Sequence, residues 1–210
     1  MRYMRTSTLV FLVVTLLLLA GCGQSGKASD NGTRTSDDGQ ALGEQDSSQT
    51  SQEQQGTQEP VTLTLYFMGS TPTSFYLVPE QRTIPYTQAV ARAAVEELIK
   101  GPAAGSSLTA ILPDTVKVLD VSVSDGICTL NLSKEILTDK AKAGGAGAEV
   151  EGLALASIAD TLTEFPTIQK VKLLIEGKQS GVVDGFHVED FWGHVGLDEY
   201  LQRNMSVVKE

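Results

Sequence analysis

Two cysteines and two histidines are the side chains of this sequence best suited to nucleophilic or metal chemistry. Cys22 follows Leu19-Ala20-Gly21 near the amino terminus, whereas Cys128 alternates with Leu130 and Leu132. A free thiol that alternates with leucines behaves as a small buried hydrophobe. We therefore expect covalent chemistry at Cys22 and packing at Cys128.

The segment ahead of Cys22 has the parts of a secretory signal. Arg2 and Arg5 precede an apolar run from Leu9 to Leu19, and small residues follow. A cysteine directly after Leu-Ala-Gly is typical of a bacterial lipoprotein signal, in which the thiol receives a diacylglyceryl group before cleavage. An uncleaved membrane anchor is disfavoured because the run is shorter than the roughly 20 residues that span a bilayer. We expect removal of residues 1–21 and anchoring of Cys22 on the extracytoplasmic face of the cell membrane.

The two histidines lie in an acidic part of the sequence. His187 and His194 have three carboxylates nearby, at Asp184, Glu189 and Asp190. Their spacing matches neither the paired histidines of a helical zinc motif nor a Cys/His finger. We interpret them as surface imidazoles and expect no metal and no cofactor.

Enzymatic patterns are weak. The glycine-rich loop 144–147 precedes an apolar helical pattern, but it lacks the Lys-Ser/Thr of a P-loop, and Glu149 and Glu151 would repel a phosphate. The sequence has no Gly-x-Ser-x-Gly elbow. Hydrolysis by paired carboxylates stays open, since the chain has 26 acidic residues. We assign no catalytic residue and expect a protein that is not an enzyme.

Charge excludes one class of partner. Without the two arginines of residues 1–21, the mature chain has 14 basic and 26 acidic side chains, a formal net charge of −12. Nucleic acid requires basic surface, so nucleic-acid binding is disfavoured. With Cys22 lipidated, Cys128 has no disulfide partner within the chain.

Composition divides the mature chain into three parts. Residues 22–60 are rich in Ser, Gln, Gly and acidic residues, which predicts a disordered tether with a span of roughly 30 to 40 Å. Residues 61–195 have the hydrophobic pattern of one folded domain. Residues 196–210 form a C-terminal tail.

Hydrophobic periodicity predicts the elements of the domain. In order they are a strand over 61–67, extended pieces over 75–78 and 82–84, a helix over 88–100 capped by Thr87, a strand pair turning at Asp125-Gly126, a helix through 155–165, a strand over 171–175 and a short strand at 186–188. Pro79 favours an edge position, and a phase change near Leu119-Asp120 indicates a β-bulge. This order predicts a two-layer α/β sandwich, a mixed sheet of about four to six strands with two helices packed on one side.

A set of short motifs occurs in a characteristic order along the domain. The motifs are Leu65-Tyr66-Phe67, Tyr76 to Glu80, Leu98 with Lys100-Gly101-Pro102, Leu112-Pro113, Val121-Ser122-Val123 with Asp125-Gly126, Leu130 to Ser133, Thr161 to Pro166 and Ile175-Glu176-Gly177. This ordered set resembles the GerMN domain, a module of bacterial sporulation and spore-germination lipoproteins. The resemblance covers about residues 61–190, with one copy of the domain. It implies a non-catalytic module in sporulation, germination or envelope assembly, and it supplies no catalytic residues.

We therefore expect a lipoprotein that binds or scaffolds another envelope or sporulation protein. Candidate interface residues are Arg82, Phe191 and Trp192, since exposed aromatic and arginine side chains favour interfaces. Arg82 also fits a solvated surface arginine, and the aromatic residues with Tyr200 also fit a C-terminal segment folded back over the sheet. The alternatives are a lipoprotein that captures a small ligand or wall fragment and, less favoured, a wall-active hydrolase.

Overall fold

The computed structural model describes residues 59–145 and 147–209. The expected signal peptide 1–21, the lipidation site Cys22 and nearly all of the tether 22–60 lie outside the described residues. No helix within the described ranges is both long and apolar enough to cross a membrane.

The described residues form eight strands and three α-helices. In chain order these are β1 (Val61–Thr71), β2 (Ser74–Ile84), α1 (Val90–Ile99), β3 (Val118–Ser124), β4 (Ile127–Leu132), α2 (Glu135–Thr138), α3 (Ala148–Thr163), β5 (Lys170–Ile175), β6 (Val182–Val183), β7 (Phe186–His187) and β8 (Leu201–Gln202).

The largest sheet is mixed, as predicted, and has the strand order β3-β4-β5-β8. Strand β4 runs antiparallel to β3 and parallel to β5, and β8 runs antiparallel to β5. Cys128, Leu130 and Leu132 point from β4 into the core and are fully buried. The α/β class is confirmed, and two further pairs, β1-β2 and β6-β7, form small sheets of their own.

The hairpin between β3 and β4 has the predicted turn and bulge. Asp125 and Gly126 both have positive φ, 52° and 78°, the conformation that a tight two-residue turn requires. The register shifts between Val118 and Asp120, so Leu119 is the extra residue of a bulge. A bulge at a sheet edge bends the strand there.

The first hairpin corrects one prediction. Strand β2 is continuous over 11 residues and includes Pro79, which lies opposite Tyr66 of β1. Two separate extended pieces were expected because proline removes a ladder donor. The strand continues through Pro79 because β2 is an edge strand, which is where a missing N–H is tolerated.

Helix α3 is central to the core. It contacts β1, β2, β5, β8 and α1, so even Ser157 and Thr161 are buried. The Ser157 hydroxyl donates to the carbonyl oxygen of Tyr66 at 2.6 Å, and the Tyr66 N–H donates to the Thr161 hydroxyl at 3.2 Å. Two polar side chains of α3 therefore complete the hydrogen bonding of β1.

The other helices differ in detail from the prediction. Helix α1 begins at Val90, and Ala89 occupies the N-cap position predicted for Thr87, whose hydroxyl accepts from the Ala89 N–H at 3.1 Å. The helix ends before Gly101, whose φ of 85° suits glycine. The sequence pattern missed α2 because four residues are too few to show a helical period.

Candidate functional site

Strand β3 forms one outer edge of the four-stranded sheet and pairs only with β4. On its free side, Arg92 of α1 donates to the carbonyl oxygens of Val118 at 2.8 Å and Leu119 at 3.1 Å. From Asp120 to Ser124, no main-chain bond links this side to any other described element. We call residues 118–124 the open edge, because unpaired strand groups accept a further strand.

A groove of about 180 Å³ lies between the open edge and the start of α1. Its walls are residues 88–92 together with Val121 and Val123. Both valines belong to the inner face of the sheet, since they pair with the buried Leu130 and Cys128. Val123 nevertheless has 43% of its surface exposed. The inner apolar face therefore reaches solvent at this groove.

Two acidic side chains accompany the open edge, Asp120 within it and Asp125 in the turn that follows. Both are exposed, and neither forms an ion pair with any described residue. Among the described residues, the Asp125 carboxylate has one hydrogen-bond partner, the Ser124 hydroxyl at 2.9 Å. The guanidinium of Arg92 already contacts two carbonyls and Glu96. The edge is thus apolar toward the groove and negatively charged at its outer side.

At the opposite edge of the sheet, strand β5 is covered by the C-terminal residues 201–209, which we call the strap. Leu201 and Gln202 pair with Val171 and Lys170 of β5. Farther along, Val208 bridges to Leu77, and the Lys209 N–H donates to the Leu77 carbonyl at 2.8 Å. One short segment therefore covers strands of two sheets.

Polar contacts fasten the strap to β1 and α3. Arg203 forms an ion pair with Glu164 and donates to the Tyr66 hydroxyl at 3.2 Å, and that hydroxyl donates to Glu164 at 2.7 Å. Burial, followed by the hydrogen bond to Glu164, raises the pKa of Tyr66 well above its ordinary value. Tyr66 therefore remains a neutral donor in this cluster.

Asp160 contacts the strap from within the core. Its residue surface is 0% exposed, and its Oδ1 accepts from the Asn204 N–H at 2.7 Å. Its Oδ2 has no hydrogen-bond partner among the described residues. Burial raises the pKa of this carboxyl, and the Asn204 hydrogen bond and Arg203 oppose the rise.

Glu151 holds the chain that leads to the strap. This residue is 0% exposed, and its carboxylate accepts hydrogen bonds from four main-chain N–H groups within residues 192–196. The donors are Trp192 at 3.4 Å, His194 at 2.8 Å, Val195 at 3.1 Å and Gly196 at 3.1 Å. A buried charge with this many main-chain donors fixes the loop's path. In the sequence, Glu151 and Glu149 had the same interpretation, as charges that would repel a phosphate. No sequence pattern distinguishes the buried Glu151 from its exposed neighbour Glu149.

Two of the three candidate interface residues lie inside the fold. Phe191 and Trp192 are 3% and 4% exposed and stack with ring centroids 5.0 Å apart. The Trp192 indole N–H donates to the Ile136 carbonyl at 2.7 Å. The structure therefore corrects the interface interpretation for both residues. The cause is the loop held by Glu151, which turns the two rings toward α2.

Arg82 joins β2 to the end of α1. Its guanidinium forms ion pairs with Glu80 at 2.6 Å and Glu97 at 3.1 Å and donates to the Gly101 carbonyl at 2.9 Å. Only 18% of the side chain is exposed. Burial opposes ionisation of Glu97, but hydrogen bonds from Lys100 and Arg82 lower its pKa overall. Arg82 thus links β2 to the end of α1 through these contacts and is not a free surface arginine.

The two histidines and Cys128 do not form a common site. The Nδ1 of His187 lies 3.4 Å from Glu189, while the main chain of His194 contacts Glu151. No group of three potential metal ligands occurs among residues 59–145 and 147–209. Cys128 is fully buried, and burial raises the pKa of its thiol to about 11. A thiol in this state is not a nucleophile.

Comparison with known proteins identifies the family. The profile described as Germane, sporulation and spore germination, matches residues 64–181, which include the open edge. The chain belongs to the Germane family. The resemblance found in the sequence motifs is thereby confirmed.

A curated relative and two solved structures agree with this family. The spore germination protein GerM of Bacillus subtilis (strain 168) is 31% identical over 121 residues, which cover 55% of this chain and 31% of that protein. The chain therefore spans about a third of the curated relative that it matches. The tandem GerMN domains of the Bacillus subtilis sporulation protein GerM superimpose with a TM-score of 0.55 at 28% identity, covering 71% of this chain and 47% of that chain. The first GerMN domain alone gives 0.50 at 25% identity, covering 68% and 98%.

The Germane match stops before the strap. Residues 201–209 lie beyond the matched range 64–181, and the motif comparison likewise ended near residue 190. The range matched by the Germane profile therefore includes the open edge and ends before the segment that covers β5. The aromatic residues Phe191, Trp192 and Tyr200 did indicate a C-terminal segment folded back over the sheet, but the two apolar residues Leu201 and Val208 do not define a strand.

Proposed function

We propose that this protein is a membrane-anchored, extracytoplasmic lipoprotein whose Germane domain binds another sporulation or envelope protein without catalysing a reaction. Membership of the sporulation and spore germination family supports the setting. The Leu19 to Cys22 motif supports the lipid anchor.

The open edge carries the proposed binding role. It combines unpaired strand groups, the exposed inner-face Val123 beside the half-buried Val121, and a groove beside α1. Added strands gain affinity from main-chain hydrogen bonds and specificity from pockets for alternate side chains. The buried Cys128 and the separated histidines provide no comparable support for catalysis.

The small-ligand alternative gains no support from the cavities. The apolar cavity beside Trp192 and His194 has a volume of about 150 Å³. Ordinary ligand pockets enclose roughly 300 to 1,000 Å³. Two larger depressions, near Asp139 and Asp190, have volumes of about 560 and 400 Å³, but both are wide open to solvent and expose more polar than apolar surface.

A pair of cysteine variants tests the anchor. We expect Cys22→Ser to abolish incorporation of labelled fatty acid and to leave an uncleaved precursor, because serine offers no thiol. Cys128→Ser is the matched control and should be labelled and cleaved like the parent protein. Equal labelling of Cys22→Ser and the parent would overturn the lipoprotein proposal.

Photo-crosslinking in cells tests the binding role. A photoreactive amino acid at position 123 of the full chain lies on the open edge, and one at position 182 lies on the exposed strand β6. We expect position 123 to give a discrete crosslinked product in sporulating cells and position 182 to give none. A deletion strain with normal sporulation and germination, together with no product at position 123, would contradict the proposal.

A further inference from the structure

We propose that the open edge binds an extended segment of another protein in which β-branched apolar residues alternate with lysine or arginine. This inference rests on the proposed binding function and specifies the chemistry of the partner. It follows from three properties of the site, namely its unpaired strand groups, its groove and its charge.

The first property fixes the partner's conformation. From Asp120 to Ser124 the strand pairs on one side only, while Val118 and Leu119 already have Arg92 as a partner. An incoming chain therefore finds free donors and acceptors along the second half of β3. An extended segment satisfies them in a ladder, and side chains on successive residues then alternate between the two faces.

The second property selects the inward side chains. The groove lies on the inner face of the sheet, between Val121, Val123 and the start of α1. A residue of the added strand that points inward enters this groove, where five of the seven lining residues are alanine or valine and the other two are Gln88 and Arg92. A β-branched aliphatic residue suits both the extended conformation and the apolar surroundings.

The third property selects the outward side chains. Asp120 pairs with Asn131, on the face opposite to Val121, and its carboxylate has no ion pair among the described residues. Ser122 and Ser124 are its uncharged neighbours on that face. Directly opposed charges stabilise a cross-strand pair, so a lysine or arginine of the added strand lies favourably beside Asp120. Asp125 extends the same preference to the end of the strand.

A second copy of this chain is a poorer occupant. Its own β3 would bring another Asp120 and Asp125 to the same seam, which doubles the number of carboxylates. Like charges that face each other across strands are destabilising. Charge therefore favours a basic segment of a different protein.

Two designed peptides test the proposal with the full mature chain in detergent micelles. The first is an amide-capped hexapeptide of alternating lysine and valine, and the second replaces each lysine by glutamate. We expect the basic peptide to bind about tenfold more tightly by isothermal titration calorimetry, since charge complementarity sets the choice. Hydrogen–deuterium exchange should show new protection in residues 118–124.

Matched variants locate the binding. Val123→Arg fills the groove and should abolish binding of the basic peptide, whereas Val182→Arg changes a valine of β6 that is 50% exposed and should leave binding unchanged. Asp120→Lys combined with Asp125→Asn reverses the charge of the edge and should transfer the preference to the acidic peptide. The charge-reversed variant also controls for loss of folding, because it must gain a ligand.

The outcomes are distinct. Equal affinity for both peptides, unchanged preference in the charge-reversed variant, or protection confined to the strap would each overturn the proposal. So would a dimer of the unliganded protein that Val123→Arg dissociates, since the occupant would then be a second copy. If cells with Val123→Arg sporulate like the parent while the deletion strain fails, the proposed function stands and this docking site falls.

Discussion

The two edges of the β3-β4-β5 part of the sheet differ in how they are covered. The outer side of β5 is paired with β8 at Lys170 and Val171 and is hydrogen-bonded at Ile175 by Lys178. Within the described part of the chain, the outer side of β3 is hydrogen-bonded only at the carbonyls of its first two residues, by the Arg92 side chain. Val171 is fully buried, whereas Val123 is 43% exposed.

This difference separates structure from function. The strap is held by an ion pair, a buried carboxylate and a buried leucine, so its side of the sheet is part of the folded core. Exposed strand edges are a risk of aggregation that proteins usually cover. We propose that a domain which covers one edge and leaves the other available uses the second edge to bind a partner. Substitutions should therefore cost stability on the strap side and binding on the β3 side.

The largest expected loss on the strap side comes from Glu151→Ala. It removes the acceptor of four N–H groups in residues 192–196 and leaves them without a partner inside the fold. We expect a loss of about 3 to 5 kcal/mol in the free energy of unfolding, measured by urea denaturation. Glu149→Ala, on the same helix turn, is the control and should cost less than about 1 kcal/mol, because that exposed carboxylate accepts only from the Phe75 N–H. Similar losses for both variants would contradict the anchoring role of Glu151.

The next effect tests the strap itself. Leu201 is 6% exposed and faces the core from β8, so Leu201→Ala should cost about 2 to 3 kcal/mol in unfolding free energy. Amide exchange of Lys170 and Val171 should accelerate, since their cover is weakened. Met205→Ala removes a side chain that is 50% exposed in the same segment and should change stability by less than about 0.5 kcal/mol. An unchanged exchange rate in Leu201→Ala would show that β5 does not need the strap.

Sequence patterns predicted the elements with strong periods and missed those fixed by single contacts. The alternation at Cys128, Leu130 and Leu132 and the turn at Asp125-Gly126 were sufficient to predict the β3-β4 hairpin, and its bulge followed from a change of phase. Strand β8 has only two residues, and the two residues after it, Arg203 and Asn204, contact the carboxylates of Glu164, just after α3, and Asp160, within α3. No local pattern encodes such long-range pairs.

The residues of the candidate site were not predicted from the sequence. The interface residues named there were Arg82, Phe191 and Trp192, and none of them belongs to the open edge, residues 118–124. Aromatic composition favoured Phe191 and Trp192, but a buried carboxylate distant in sequence draws their loop into the core. Val121 and Val123 looked like ordinary core residues of a strand, because sequence alternation gives the face of a side chain and not whether a helix covers it.

A smaller effect concerns pH and sharpens the strap side of the comparison. Burial raises the pKa of Asp160 in the folded state above its unfolded value, so the folded protein binds this proton more tightly. Its contribution to stability is present at low pH and is lost as the pH rises through the folded-state pKa. Asp160→Asn cannot titrate, so its stability relative to the parent should increase as the pH rises from the ordinary carboxyl range to neutrality. Urea denaturation across that range checks this, and a constant difference at every pH would contradict it.

The smallest expected change in stability belongs to the open edge and completes the comparison. Val123→Thr keeps the β-branched shape and places a hydroxyl where solvent already reaches, so the unfolding free energy should change by less than about 0.5 kcal/mol. Val171→Thr makes the same change beneath the strap, where a hydroxyl is buried, and should cost about 1 to 3 kcal/mol. Binding of the lysine-valine peptide should show the reverse order, with weaker binding by Val123→Thr and unchanged binding by Val171→Thr. If both substitutions destabilise the fold equally, the β3 edge is core structure like the β5 edge, and the division between a closed side and a binding side fails.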